Sequence, residues 1–187
     1  GRVVLTDESA AFCYPGTAVR MAFTGSSVSA SLKPNSGYYW VEIDSLPAFK
    51  LSTFVGNKEN NLFLLADSVQ LTLINEGLND KPEFYGFALP SPNTVKAVPA
   101  KAHRIEFIGN SMTCGYGVEA PNKECGFADS TENFALAYAG IVSRRFNAAA
   151  MVVARSGIGV YRNFNDTITG SEKPMPSFYD NAFIFDS

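Results

Sequence analysis

A change of grammar along the chain constrains its fold more than any other feature. It falls at a proline-punctuated stretch, Pro90-Ser91-Pro92-Asn93 to Pro99-Ala100-Lys101. Before it, short runs alternate apolar and polar residues between turn signals. Arg20-Met21-Ala22-Phe23 and Val28-Ser29-Ala30-Ser31-Leu32 flank Thr24-Gly25-Ser26-Ser27, and the aromatic, β-branched run Tyr38 to Ile43 follows Pro34-Asn35-Ser36-Gly37. Leu62 to Leu65, Val69 to Ile74 and Phe84 to Leu89 continue the series, and no amphipathic helical pattern interrupts it. Strands of period two bury one face each, so residues 1–100 are expected to form an antiparallel β-sandwich of jelly-roll type.

After the junction the pattern becomes strand, loop, helix, strand. Arg104 to Ile108 reads as a short strand, and Ala148 to Ala154 is a continuous apolar run of the kind buried in parallel sheets. Between them Phe134, Tyr138, Ile141, Val142 and Phe146 fall at helical spacing. The spacing predicts a helix capped by Asp129 or Ser130, with Glu132 in its first turn to complement the helix dipole. The whole is a β-α-β crossover, so residues 101–187 are expected to begin an α/β domain, three-layered around a parallel sheet.

Composition narrows the function classes. With 187 residues, 46% hydrophobic, the chain can bury one large core or two small ones. A net charge of -3 without a Lys/Arg cluster leaves no footprint for nucleic acid. The run Ala148 to Ala154 falls far short of the ~20 residues that cross a bilayer, so no membrane partner is expected, and any export leader is expected to have been removed. Cys13, Cys114 and Cys125 show no C-x-x-C spacing and no histidine cluster, and no D-x-D-x-D loop occurs, so neither a metal nor another cofactor is expected. Cys114 and Cys125 either pair across a short loop or remain free thiols.

The stretch Ile105-Glu106-Phe107-Ile108-Gly109-Asn110-Ser111-Met112-Thr113-Cys114-Gly115-Tyr116-Gly117 carries the chemistry. A strand running into a turn presents Ser111 at the carboxyl edge of a parallel sheet, where open α/β folds bind ligands. Glycines at 109, 115 and 117 permit a tight turn, and a helix starting near Ser111 would aim amide groups at a developing anion. Gly109-Asn110-Ser111-Met112-Thr113-Cys114-Gly115 resembles the first block of the SGNH (GDSL-type) hydrolases, whose nucleophile is the serine. The family usually has Asp before that serine; here Asn110 keeps the hydrogen-bonding side chain and loses the charge. Val152-Val153-Ala154-Arg155-Ser156-Gly157-Ile158-Gly159 resembles the second block, which implies Gly157 as an oxyanion-hole donor beside the amide of Ser111.

A sandwich preceding such a domain is similar to the second carbohydrate esterase family. Gly1-Arg2, Tyr14-Pro15-Gly16-Thr17, Phe23-Thr24-Gly25 and Tyr85-Gly86-Phe87 also carry this resemblance. It implies a serine esterase that removes acetyl groups from xylan or a related hemicellulose through an acyl-enzyme on Ser111, in a secreted or periplasmic setting. Tyr116 and Tyr161, just after the two blocks, are candidates to stack on a sugar ring. The resemblance also demands a late Asp-x-x-His block and a Gly-x-Asn-Asp block, and neither is found. The single histidine, His103, precedes the nucleophile's strand and is expected at the opposite end of the sheet. The domain therefore reads as cut short. Its remaining strands, catalytic histidine and any supporting acid are expected on a second polypeptide or a further stretch of chain. Two alternatives stay open: an SGNH lipase or thioesterase, disfavoured by the polar loop Val118 to Phe127, and a non-catalytic carbohydrate-binding module using Tyr38, Tyr39 or Trp40.

Overall fold

The computed structural model describes residues 2–25, 27–44, 46–54, 59–62, 67–77, 81–90, 92 and 94–184, with 59–62 described in their backbone only. Ten strands precede the proline-rich junction or lie within it: β1 (Val4–Leu5), β2 (Ala10–Ala11), β3 (Ala18–Phe23), β4 (Val28–Leu32), β5 (Tyr38–Ile43), β6 (Phe49–Ser52), β7 (Glu59–Leu62), β8 (Ser68–Leu73), β9 (Glu83–Ala88) and β10 (Val95–Lys96). They form two five-stranded antiparallel sheets, ordered β1-β2-β9-β4-β7 and β10-β3-β8-β5-β6. Period two does the folding. Val28, Ala30 and Leu32 on β4 point inward, and Tyr39, Val41 and Ile43 on β5 meet them with Val69, Leu71 and Leu73 of β8 in one buried core. Of the expected run Leu62 to Leu65, Leu62 ends β7 and residues 63–65 lie outside the described ones.

Two further strands pair in parallel: β11 (His103–Gly109) and β12 (Ala148–Ala154), in register from His103 opposite Ala148 to Gly109 opposite Ala154. Between them lie α1 (Ser111–Cys114), two 3₁₀ turns at Asp129–Thr131 and Phe134–Leu136, and α2 (Tyr138–Arg145). The expected crossover is present, but its helix is shorter and differently faced than the spacing predicts. Glu132 is not in a first helical turn, and neither Asp129 nor Ser130 caps α2. Glu132 turns inward with a fully buried side chain, and Asn133 accepts from the Ala135 N–H to cap the second 3₁₀ turn. Ala137, at ψ 162°, then breaks the path, so α2 starts at Tyr138. The buried face of α2 is Ala139, Gly140 and Ser143, while Tyr138, Ile141 and Phe146 are about half exposed or more. Small side chains let the helix lie close on the chain beneath it: a Cβ on Gly140 would stand 2.4 Å from the Phe134 carbonyl oxygen.

The sandwich and the α/β part share their interiors. Ile74, just past β8, sits in one cluster with Phe107, Cys114, Phe134, Val152 and Ala154, and its backbone donates to Tyr38 O (3.0 Å) and accepts from Phe134 N (2.8 Å). Cys13 and Tyr14 share a second cluster with Val153, Ile158, Met175, Phe178 and Ile184. The three consecutive aromatics are thereby accounted for. Tyr39 is in the sandwich core, and Tyr38 and Trp40 pack on the α/β part, which weighs against the alternative of a glycan-binding face on this strand. No two of the cysteines are bonded to each other among the described residues; Cys13 and Cys114 are buried.

Candidate active site

The turn that carries Ser111 is built by a cap. Gly109 ends β11, and Asn110, in extended conformation, is the N-cap of α1: its Oδ1 accepts from the Met112 N–H at 3.2 Å, and its carbonyl accepts from Thr113 and Cys114. An amide oxygen caps as a carboxylate would, so Asn110 closes the turn without a charge. Gly115 closes the helix at φ +91°, and a Cβ there would stand 2.5 Å from the Asn133 carbonyl oxygen, which leaves glycine as the residue that fits. Ser111 is the first residue of α1 and half-buried. Among the described residues its hydroxyl and its N–H have no hydrogen-bond partner.

The matching edge of β12 continues into Arg155, Ser156 and Gly157. Because Gly109 pairs with Ala154, the residues just beyond each strand emerge at the same edge. Gly157 adopts φ +79°, accepts from the Phe164 N–H at 2.7 Å, and has no protein acceptor for its own N–H among the described residues. Ser111 and Gly157 line one open pocket of about 470 Å³ with Tyr116, Arg162 and Phe164, a size suited to a small ligand. Tyr116 stacks on Phe127 with ring centroids 5.4 Å apart. Tyr161 lies outside the lining and donates its hydroxyl to the Thr169 carbonyl at 2.9 Å; Arg162 and Phe164 are the side chains its loop contributes. His103 opens β11, six residues from Gly109, and so lies about 20 Å away along the strand, exposed. A second cavity, between Trp40, Lys101, Phe134 and Arg144, reaches Ala148 at that same far end.

Beneath the pocket lies a feature the sequence does not advertise. Glu76, from the sandwich, is 2% exposed and Glu132 is fully buried. A carboxylate oxygen of Glu76 accepts from the Ser156 N–H, and the Glu76 N–H donates to Glu132 Oε2 at 2.8 Å. Burial, then the nearby Glu76 charge, pushes Glu132 up to about 9, and burial likewise raises Glu76. Cys114 Sγ and one oxygen of each carboxylate lie within 4.8 Å of one another, the one group among the described residues able to meet at a metal ion. Burial and the two acids hold the Cys114 thiol well above its usual range, which suits a packed thiol and not a nucleophile. Glu76 carries no motif; its only signal is an acid two residues past the end of the alternating run Val69 to Ile74.

Comparison with known proteins places these features in a context. Residues 1–99 match the family model described as carbohydrate esterase 2 N-terminal. The chain is 32% identical over 171 residues to the cellulase/esterase CelE of Acetivibrio thermocellus, covering 88% of this chain and 21% of that protein. It is 27% identical over 177 residues to an acetylxylan esterase / glucomannan deacetylase of Cellvibrio japonicus, covering 90% of this chain and 47% of that one. The solved structure of a family two carbohydrate esterase from Clostridium thermocellum, in complex with cellohexaose, superposes with a TM-score of 0.81 at 27% identity, over 100% of this chain and 58% of that one. The chain thus spans less than half the length of either curated relative.

Proposed function

Because the chain belongs to the carbohydrate esterase 2 family, we propose that it is the sandwich and nucleophile-bearing part of a serine esterase that removes O-acetyl groups from xylan or a related hemicellulose. The observation that carries this is the convergence of Ser111 and Gly157 at one sheet edge and in one pocket. Ser111 Oγ attacks the acetyl carbonyl, and the amides of Ser111 and Gly157 hold the tetrahedral oxyanion; expulsion of the sugar hydroxyl leaves an acetyl-enzyme, which water cleaves to acetate. Since His103 sits at the far end of β11, the proton of Ser111 goes to a histidine outside these 187 residues, which hands it on to the departing sugar oxygen. The pocket is open and mixed in lining, with Asn110, Ser156 and Arg162 as well as Tyr116, Ile158 and Phe164, which is compatible with a sugar carrying a short acyl group. Such a polymer is met outside the cytoplasm, in a secreted or periplasmic setting. The sandwich is read as a jelly roll: the orders β2-β9-β4-β7 and β3-β8-β5-β6, with successive strands from β2 to β9 changing sheet at nearly every step, support interleaved Greek keys.

The test is acetate release from acetylated xylan, and hydrolysis of p-nitrophenyl acetate, by the intact protein before and after Ser111→Ala. Loss of both by at least 10³-fold, the scale on which removal of a nucleophile acts, is expected. Retained hydrolysis would exclude Ser111 as the nucleophile, and an inactive parent protein would favour the binding-module reading.

A further inference from the structure

Glu76 is a sandwich residue, yet its carboxylate holds a backbone N–H one residue before the proposed oxyanion donor. Each of the two buried acids has one oxygen engaged: Glu76 by the Ser156 N–H, and Glu132 Oε2 by the Glu76 N–H. Their other oxygens, Glu76 Oε2 and Glu132 Oε1, are buried and make no well-formed hydrogen bond among the described residues, although the Ser156 hydroxyl, the Cys114 thiol and Glu132 lie close enough to Glu76 to work against the effect of burial on it. No cation pairs with either carboxylate there. The ionisable groups that face the pair are Cys114 from α1 and Asp129 from the 3₁₀ turn, and neither supplies positive charge. Two bare carboxylates this deep and this close would repel strongly, and two idle buried oxygens would each cost desolvation. One proton shared by the two carboxyl groups, which lie close enough to hydrogen-bond, relieves both penalties at once.

We propose that Glu76 is a positioning residue for the oxyanion loop: joined to Glu132 by one shared proton, it fixes the Ser156 amide from below and so sets the direction of the Gly157 N–H. The inference rests on the reading of Ser111 and Gly157 as the catalytic pair. It gives the sandwich a share in catalysis, through one acid that crosses from the residue after Asn75 to the loop after β12. Loss of the shared proton at alkaline pH puts a second negative charge in the cluster and loosens the loop.

The test compares the intact wild-type protein with Glu76→Ala and Glu76→Gln in p-nitrophenyl acetate hydrolysis across pH. Glu76→Ala is expected to lower kcat about 10- to 100-fold with KM changed less than about twofold, because a misdirected donor is missed chiefly in the transition state. Glu76→Gln, which can accept from Ser156 and donate to Glu132, is expected to recover kcat to within about threefold and to lose the alkaline decline of the wild type. An unchanged kcat in Glu76→Ala overturns the proposal. If that variant does not fold, a wild-type alkaline decline in Glu76→Gln overturns it equally. A stoichiometric metal in the purified wild type that is absent from Glu76→Gln would also overturn it, since an ion would then join the acids. Labelling by a fluorophosphonate, lost in Ser111→Ala, separates the two readings. Labelling with an unchanged Glu76→Ala refutes the positioning role alone, and no labelling refutes the esterase reading beneath it.

Discussion

Replacing Glu132 by Gln should make the protein more stable at neutral and alkaline pH, and by an amount that grows with pH. In the unfolded chain this carboxyl titrates near 4.5, whereas in the folded protein burial and the neighbouring Glu76 raise it to about 9. The folded state therefore keeps a proton that the unfolded state gives up. Stability is greatest below the unfolded value and is lost as pH rises from 4.5 towards 9. One retained proton corresponds to about 1.4 kcal/mol per pH unit, so about 4 kcal/mol separates pH 5 from pH 8. For a unit of this size that is a fall of about 8–16 °C in Tm. Gln keeps an oxygen for the Glu76 N–H and offers its amide to Glu76 Oε2, and it does not titrate. Thermal melting of the intact protein and of Glu132→Gln, at half-unit steps from pH 5 to 8.5, is the assay. The Tm difference between them should widen steadily in favour of the variant. Two curves that run parallel across the range would refute the reasoning, since both would then carry the same proton balance on unfolding.

The remaining predictions concern how the two parts are joined and which thiols are reachable. Ile74→Ala empties a fully buried site between sandwich and α/β part, and should cost about 2–5 kcal/mol in denaturant unfolding; a loss below 1 kcal/mol would show that this cluster does not couple them. Cys114, buried and with its thiol held neutral, should resist iodoacetamide in the native protein, while the more accessible Cys125 reacts; intact-mass spectra before and after denaturation distinguish them, and rapid native labelling of Cys114 would contradict its packing.

Strands that bury one face in a sandwich announce themselves by period two, which is why β4, β5 and β12 begin and end where the alternation or the apolar run does. The two-residue strands β1, β2 and β10 are too short to carry any period, and β6, Phe-Lys-Leu-Ser, is a half-exposed edge that owes its place to pairing with β5. Helical spacing misleads between 129 and 146 for a related reason. The apolar residues there serve two different surfaces: Phe134 fills the seam against Gly16 and Val152, while Tyr138, Ile141 and Phe146 lie on the outer side of α2. A pattern summed over both looks like one helix face. The turn around Ser111 is legible because its geometry is local: a cap, a serine and a left-handed glycine within six residues specify it with little help from elsewhere. The acid beneath it was not, because Glu76 and Glu132 stand 56 residues apart and neither belongs to a motif. What makes them a pair is the depth at which the sandwich meets the α/β part, a property of the folded chain that local sequence does not encode. An acid placed there without a partner would be among the costliest residues in the protein, so the two positions should tolerate Gln far better than any change that leaves a single buried carboxylate unpaired.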